Sequence, residues 1–311
     1  MGNAPDVVVV GAHGCGAGVC RVHHMPVAGE TIEAWDYHII RDGGKGSHQA
    51  MVIGKYGGSA AFIGKLGTDT RSDIGISWLV EHHLNIDHLV RSEDYKKHNG
   101  AGIMMIDDNG DNVIVNVKGE IKYLTFDEAR PGIDAFRDAE VFITGFEVPL
   151  DTALRSARLA KQYGMFTVLN PSPLPHEQLP RLDFIDLIIP NQTESKTMLG
   201  LPAEEEVPPE ILAQKLISAY GMGSVIITLG AAGAMYHDGR ETIFVPSLRI
   251  EPVSSIGAGD CFLGSYVFSR FHERKSIRDA MEWAAHAAAI SVSRPGSLDS
   301  FPTKEEVDSS F

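Results

Sequence analysis

Short β-branched runs alternate along the chain with longer stretches whose apolar residues recur at helical spacing. Asp6–Val10, Glu140–Thr144, Phe166–Leu169, Asp186–Ile189 and Ser224–Thr228 read as buried strands. Pro149–Tyr163, Pro209–Tyr220, Gly259–Phe271 and the alanine-rich Ser276–Ser293 read as helices. Strands separated by such helices make βαβ units, so the pattern predicts an α/β fold with a mainly parallel sheet. A sheet of that kind holds ligands at the carboxyl ends of its strands. One region breaks the rhythm. Ile32–Ile40, Gly100–Ile106 and Asn112–Val117 are strand-like, and Asn109-Gly110 between the last two is a strong hairpin signal. They are read as a small antiparallel flap standing off the α/β body, with two edge hairpins as the plainer alternative. Glu204–Glu206 with Pro208-Pro209 reads as a solvated loop before a helix. The pattern contains no internal repeat and no low-complexity tract.

Composition narrows the classes. At 311 residues the chain is long enough for one large domain or two medium ones. Its 41 acidic and 27 basic residues give a formal charge of −14, which argues against a nucleic-acid partner. No apolar run approaches the roughly 20 residues that span a bilayer, so no membrane partner is expected. No basic segment followed by an apolar run opens the chain, so no secretory signal is expected. Cys15, Cys20 and Cys261 make no disulfide framework and no CxxC pair, which suits the cytoplasm. Glycine is in excess, 32 of 311 residues. Glycine-rich loops let a backbone approach a ligand closely.

The run Gly11–Gly18 follows the first strand but fails the dinucleotide fingerprint in both registers, at Val19 or at Arg21. It is read as a flexible loop rimming a different pocket. No P-loop occurs, and Asp107-x-Asn109-x-Asp111 lacks the glycine placement of a calcium loop. The 13 histidines show no zinc spacing and are read mostly as surface or loop residues. Gly257-Ala258-Gly259-Asp260 is different, because it opens a helix. Small residues let successive backbone N–H groups converge, and the helix N-terminus adds positive potential, which together make an anion hole. An aspartate there sits beside bound phosphate, placed to take a proton from an attacking hydroxyl. The plainer reading is an N-capping aspartate. Companion motifs favour the first reading: Gly43–Ala50 is a second glycine loop opening a helix, and Asn170–Pro173, Pro190–Glu194 and Thr228–Gly233 tip other strands. Such strand ends imply one composite crevice.

With these motifs in order, the chain resembles the ribokinase-like sugar kinases of the PfkB carbohydrate kinase family, from Asp6 to about Pro302. GGKGSHQA at 43–50 and VSSIGAGDCF at 253–262 carry the likeness, with Asn191…Glu194, Thr228-x-Gly230, Ala285–Gly296 and Gly145-Phe146-Glu147. The resemblance implies a three-layer sandwich with a mainly parallel central sheet and a small antiparallel β lid. It implies a single domain over 1–311, with lid segments near 13–42 and 96–120, and a homodimer formed through the lid. It implies transfer of phosphate from ATP to a small polyhydroxy acceptor. Asp260 becomes the base, and Gly257, Ala258 and Gly259 the anion hole. Asn191 and Glu194 organise triphosphate and Mg²⁺ through water, and Thr228, Gly230 and Gly233 line the nucleotide. Gly16, Gly44, Lys45, His48 and Glu147 face the acceptor.

The departures from the family pattern bear on specificity. The family's Asn-x-Asp after the first strand reads Gly14-Cys15-Gly16 here, and His48 stands where the family has asparagine. A site that loses a hydroxyl's partner discriminates against that hydroxyl. Ribose is therefore expected to be a poor acceptor, and His48 to touch the true one and titrate near neutrality. Ser254 replaces an aspartate of the family's K⁺ site, leaving Ile256, Ser291, Arg294, Gly296 and Ser300 as a weakened K⁺ site. A nucleoside kinase and a non-catalytic sugar sensor remain as alternatives, the latter disfavoured by an intact Asp260.

Overall fold

The structure is a computed structural model and describes residues 5–92, 100–109 and 111–311. Its first strand, β1 (Val7–Val10), is four valines, all buried. Val7 and Val9 enter one core and Val8 and Val10 the other. That is the two-residue period of a strand covered on both faces. In chain order there follow β2 (Gly14–Val22), β3 (Ala34–Ile40), β4 (Ala60–Ile63), β5 (Lys65–Leu66), β6 (Val90–Arg91), β7 (Gly100–Ile106) and β8 (Asn112–Val117). The second half adds β9 (Val141–Gly145), β10 (Phe166–Asn170), β11 (Leu187–Ile188), β12 (Ser224–Thr228), β13 (Ala234–His237) and β14 (Thr242–Val245).

An eight-stranded sheet runs in the order β14-β13-β12-β11-β10-β9-β1-β4. Its pairings are parallel from β4 to β12 and antiparallel from β12 to β14. One face is covered by α1 (Lys45–Lys55), α2 (Thr70–Glu81), α7 (Ala258–Val267) and α8 (Ile277–Val292). The other is covered by α3 (Phe126–Ala135), α4 (Leu150–Gln162), α5 (Gln192–Met198) and α6 (Pro209–Tyr220). A short α9 (Lys304–Asp308) packs on the first side through Val307. The chain leaves β1 toward β4 on one side and returns to β9 on the other. The strand order therefore reverses at β1, and the crevice of an open α/β sheet forms at such a point. Among the described residues no helix is long and apolar enough to cross a membrane.

The lid is a separate four-stranded sheet in the order β3-β2-β7-β8. Its outer pairings are antiparallel, as expected, while its central pair β2–β7 is parallel. The hairpin expected at Asn109-Gly110 is closed by Asp107 N–H donating to the Asp111 carbonyl. Gly110 and residues 96–99 of the expected lid lie outside the described residues.

Gly14–Val22 corrects the sequence reading, because it is a strand and not a loop. Its glycines carry no strand signal of their own. Partner strands on both sides supply the ladder, with an irregularity between Gly14 and Ala17 where Gly16 takes φ +82°. The helix expected over Gly259–Phe271 is α7, continued by a π-helical turn at Phe268–His272.

Candidate active site

The crevice is built where α1 starts against the end of β1. A Cβ placed on Gly46 would lie 2.6 Å from the Gly11 Cα, so the two segments touch backbone to backbone only because both are glycine. Ser47 N–H donates to the Ala12 carbonyl across this contact at 3.1 Å. Gly44 is the N-cap of α1, and Lys45 is its first residue. The lid is tied to the same corner, with Gly16 N–H of β2 donating to the Asp42 carbonyl at 2.7 Å. Between lid and body lies a cleft of about 350 Å³. Ile40, Met104 and Ala17 line its lid side, and Lys45, Glu147 and Asp260 its floor.

Asp260 sits in the first turn of α7 and is 4% exposed. The turn is set by Gly257, whose φ of +77° is left-handed and favours glycine. Three side chains donate to the carboxylate. Gln49 Nε2 and Asn170 Nδ2 reach Oδ1 at 3.0 and 3.3 Å, and His48 Nδ1 reaches Oδ2 at 3.3 Å. The first amides of a helix have no carbonyl one turn earlier to bond. Ala258 N–H makes only a long 3.3 Å contact with the Ser255 carbonyl. A Cβ on Gly259 would meet nothing within 4 Å, so the mouth of the turn is open. Charge is concentrated around it. Lys45 is held more basic than usual, first by Asp260 and then by Glu147. Glu147, which follows β9, accepts from Gly46 N–H at 3.3 Å. Burial and then the Asp260 charge push its carboxyl up to about 7.

His48 lines the cleft but departs from the sequence reading in its charge. The ring is 4% exposed, and its nitrogens face Asp260 at 3.3 Å and Asp42 at 3.2 Å. Burial lowers its pKa, but the hydrogen bonds to Asp260 and Asp42 outweigh that and push it up to about 10. It does not titrate near neutrality. His13 is also buried, which brings it down to about 4.

The other expected residues fall in two groups at the same edge of the sheet. Asn191 follows β11 and bridges to Thr228 at the end of β12. It forms a capping box with Glu194: Asn191 Oδ1 accepts from Glu194 N–H at 2.8 Å, and Glu194 Oε2 from Asn191 N–H at 2.9 Å. Gly230 and Gly233 bound the turn after β12, both at positive φ. In the second group the Ser254 hydroxyl donates to the Gly296 carbonyl at 3.4 Å, and the Ser291 and Ser300 hydroxyls meet at 2.9 Å. Ile256 N–H donates to Ser254 Oγ at 3.4 Å, and Arg294 N–H to the Ser291 carbonyl at 3.1 Å. The groups in these contacts are neutral hydroxyls, amides and carbonyls.

The sequence reading assigned no role to Asp42, Gln49 or Asn170. One signal was available: Ser47, His48 and Gln49 are consecutive polar residues running straight into the apolar Ala50–Ile53, and the structure buries all three. Buried polar groups in a run imply partners.

A model of the pfkB carbohydrate kinase family matches residues 29–304. Among curated relatives, the bifunctional ribokinase/ribose-5-phosphate isomerase A of Fructilactobacillus sanfranciscensis is 29% identical over 304 residues. That match takes in 97% of this chain and 55% of the relative. The deoxyribokinase of Salmonella typhi is 27% identical over 306 residues, 97% of each chain. The solved structure of Arabidopsis thaliana ribokinase complexed with ribose and ATP superposes with a TM-score of 0.86 at 24% identity, over 98% of each chain.

Proposed function

The chain belongs to the pfkB family and is a carbohydrate kinase, and we propose that it transfers the γ-phosphoryl group of ATP to a hydroxyl of a small sugar or polyol with Asp260 as general base. The observation that carries this is a buried carboxylate fixed by three donors beside an open helix N-terminus. In the reaction the acceptor O–H gives its proton to Asp260 and the oxygen forms the new bond to phosphorus, while the bond to the ADP oxygen breaks. The first-turn amides of α7 stabilise the charge on the transferring group. Lys45 adds a positive charge close to Asp260 and orients the acceptor. Glu147 accepts from an acceptor hydroxyl when it is ionised. Asn191 and Glu194 would hold Mg²⁺, and the ion would supply charge to neutralise the triphosphate. Thr228, Gly230 and Gly233 line the nucleotide.

Gly14 and Gly16 bring no polar side chain to the lid side of the cleft, which supports a preference for an acceptor other than ribose. Ile40 and Met104, beside Asn116 on the lid wall, favour a second reading, an acceptor bearing an apolar or flat group, as a nucleoside does. The neutral donors around Ser254 support only a weak response to K⁺. The exposed outer face of the lid supports a homodimer. An ADP-release assay over sugars, polyols and nucleosides, with and without K⁺, tests the reading. Turnover with a polyhydroxy compound well above that with ribose is expected, and ADP release with none of them would contradict it.

A further inference from the structure

Asp42, His48 and Asp260 form one line of side chains from the lid to the base. Asp42 lies between β3 and α1, and its carbonyl accepts from Gly16 N–H of the lid. Its Oδ1 is 3.2 Å from His48 Nε2, and His48 Nδ1 is 3.3 Å from Asp260 Oδ2. The ring is held edge-on to Phe301 at 5.5 Å between centroids. Ser297 Oγ stands 3.4 Å from Nε2.

The two nitrogens are not equivalent. Gly43 N–H donates to Nε2 at 2.9 Å, which needs a lone pair there. The Asp42 carboxylate at the same nitrogen needs a proton. These two demands compete, and the ring satisfies one or the other with its charge state. At Nδ1 the structure gives one partner, a carboxylate, so Nδ1–H points at Asp260 in either state.

We propose that His48 is a positioning residue for Asp260, fixing Oδ2 through Nδ1–H while Gln49 and Asn170 fix Oδ1. This rests on the reading of Asp260 as the base. A carboxylate turns freely about its last torsion, whose energy profile is broad. Its two oxygens turn together about that torsion, so donors on Oδ1 alone resist the rotation from one side only. A donor on the second oxygen locks the plane and sets where the remaining lone pairs point. His48 thus acts through Asp260, and Asp42 joins that lock to the lid.

The two amide side chains separate the nitrogens in a test. An asparagine amide lies about where Nδ1 lies, and a glutamine amide about where Nε2 lies. His48→Asn, His48→Gln, His48→Ala and Asp260→Asn are assayed in the full chain for kcat, acceptor KM and Tm. His48→Gln and His48→Ala are expected to lose kcat by about 10- to 100-fold, the scale of a misplaced catalytic group. Their acceptor KM should stay within about threefold of wild type, as it does when an interaction made only in the transition state is removed. His48→Asn should recover most of the kcat. Either of the two variants lacking the donor suffices if the other does not fold. Equal kcat for His48→Asn and His48→Gln overturns the proposal. So does a raised acceptor KM at unchanged kcat, which is the mark of direct substrate contact. If Asp260→Asn is inactive while the His48 series is flat, only the positioning role fails. If Asp260→Asn is active, the base assignment fails and the positioning role with it.

Discussion

Glu147 shows how much one side chain's setting matters. Its pKa lies at about 7 against an ordinary 4.5, raised by burial and by Asp260 and held back by Lys45 and His48. The folded value is above the unfolded one, so the native state binds its proton more tightly. The stability Glu147 contributes is fully present below about pH 4.5 and is lost as pH rises through 7. Glu147→Gln has no such proton to lose. The Tm of the wild type should therefore fall relative to Glu147→Gln between about pH 5 and pH 8. A constant difference over that range would mean that Glu147 is not buried beside Asp260. The family resemblance already names Glu147, through Gly145-Phe146-Glu147. It cannot give the charge state, which depends on burial and on neighbours contributed by α1 and α7. His48 repeats the lesson more sharply, since an exposed histidine and one held between Asp42 and Asp260 are the same letter.

At the scale of elements, the N-terminus of α7 is the part of the site most legible in the sequence. Gly257-Ala258-Gly259-Asp260 needs no distant partner to form its turn, so local rules suffice. The structure adds that Gly259 faces open space. Gly259→Val should leave the fold intact, since valine fits the room available and helix propensity costs little there. Turnover should drop well over tenfold, because the side chain blocks the approach to the first-turn amides. A variant with unchanged Tm and full kcat would place phosphate elsewhere. Strands such as β1 and β12 were legible for the same local reason: runs of four β-branched residues have no competing pattern. Gly14–Val22 was not, because a glycine-rich segment becomes a strand only through β3 and β7 beside it.

For the whole molecule, the lid has two faces of different character. Tyr37 and Ile39 on β3, Ile103 on β7, and Val113 and Val115 on β8 are all exposed on one side. The register aligns Ile39, Gly18, Ile103 and Val115 in one row across four strands. The proposed homodimer would bury this apolar sheet face against a second lid. The protein should run as a dimer in light scattering, and Ile103→Glu should shift it to monomer. A monomeric wild type at micromolar concentration would contradict lid pairing. The fold as a whole was legible from alternating runs and motif order. The donors on Asp260 were not, since Gln49 and Asn170 lie 211 and 90 residues from it. Only the fold brings them together. The most direct test compares Asp260→Asn with the wild type at saturating ATP and acceptor, reading ADP release alongside nucleotide binding and Tm. Binding and Tm should be close to wild type while kcat falls by at least about 10²- to 10⁴-fold, the usual range for a lost general base. A folded Asp260→Asn enzyme with kcat within a few-fold of wild type would show that the proton leaves by another route.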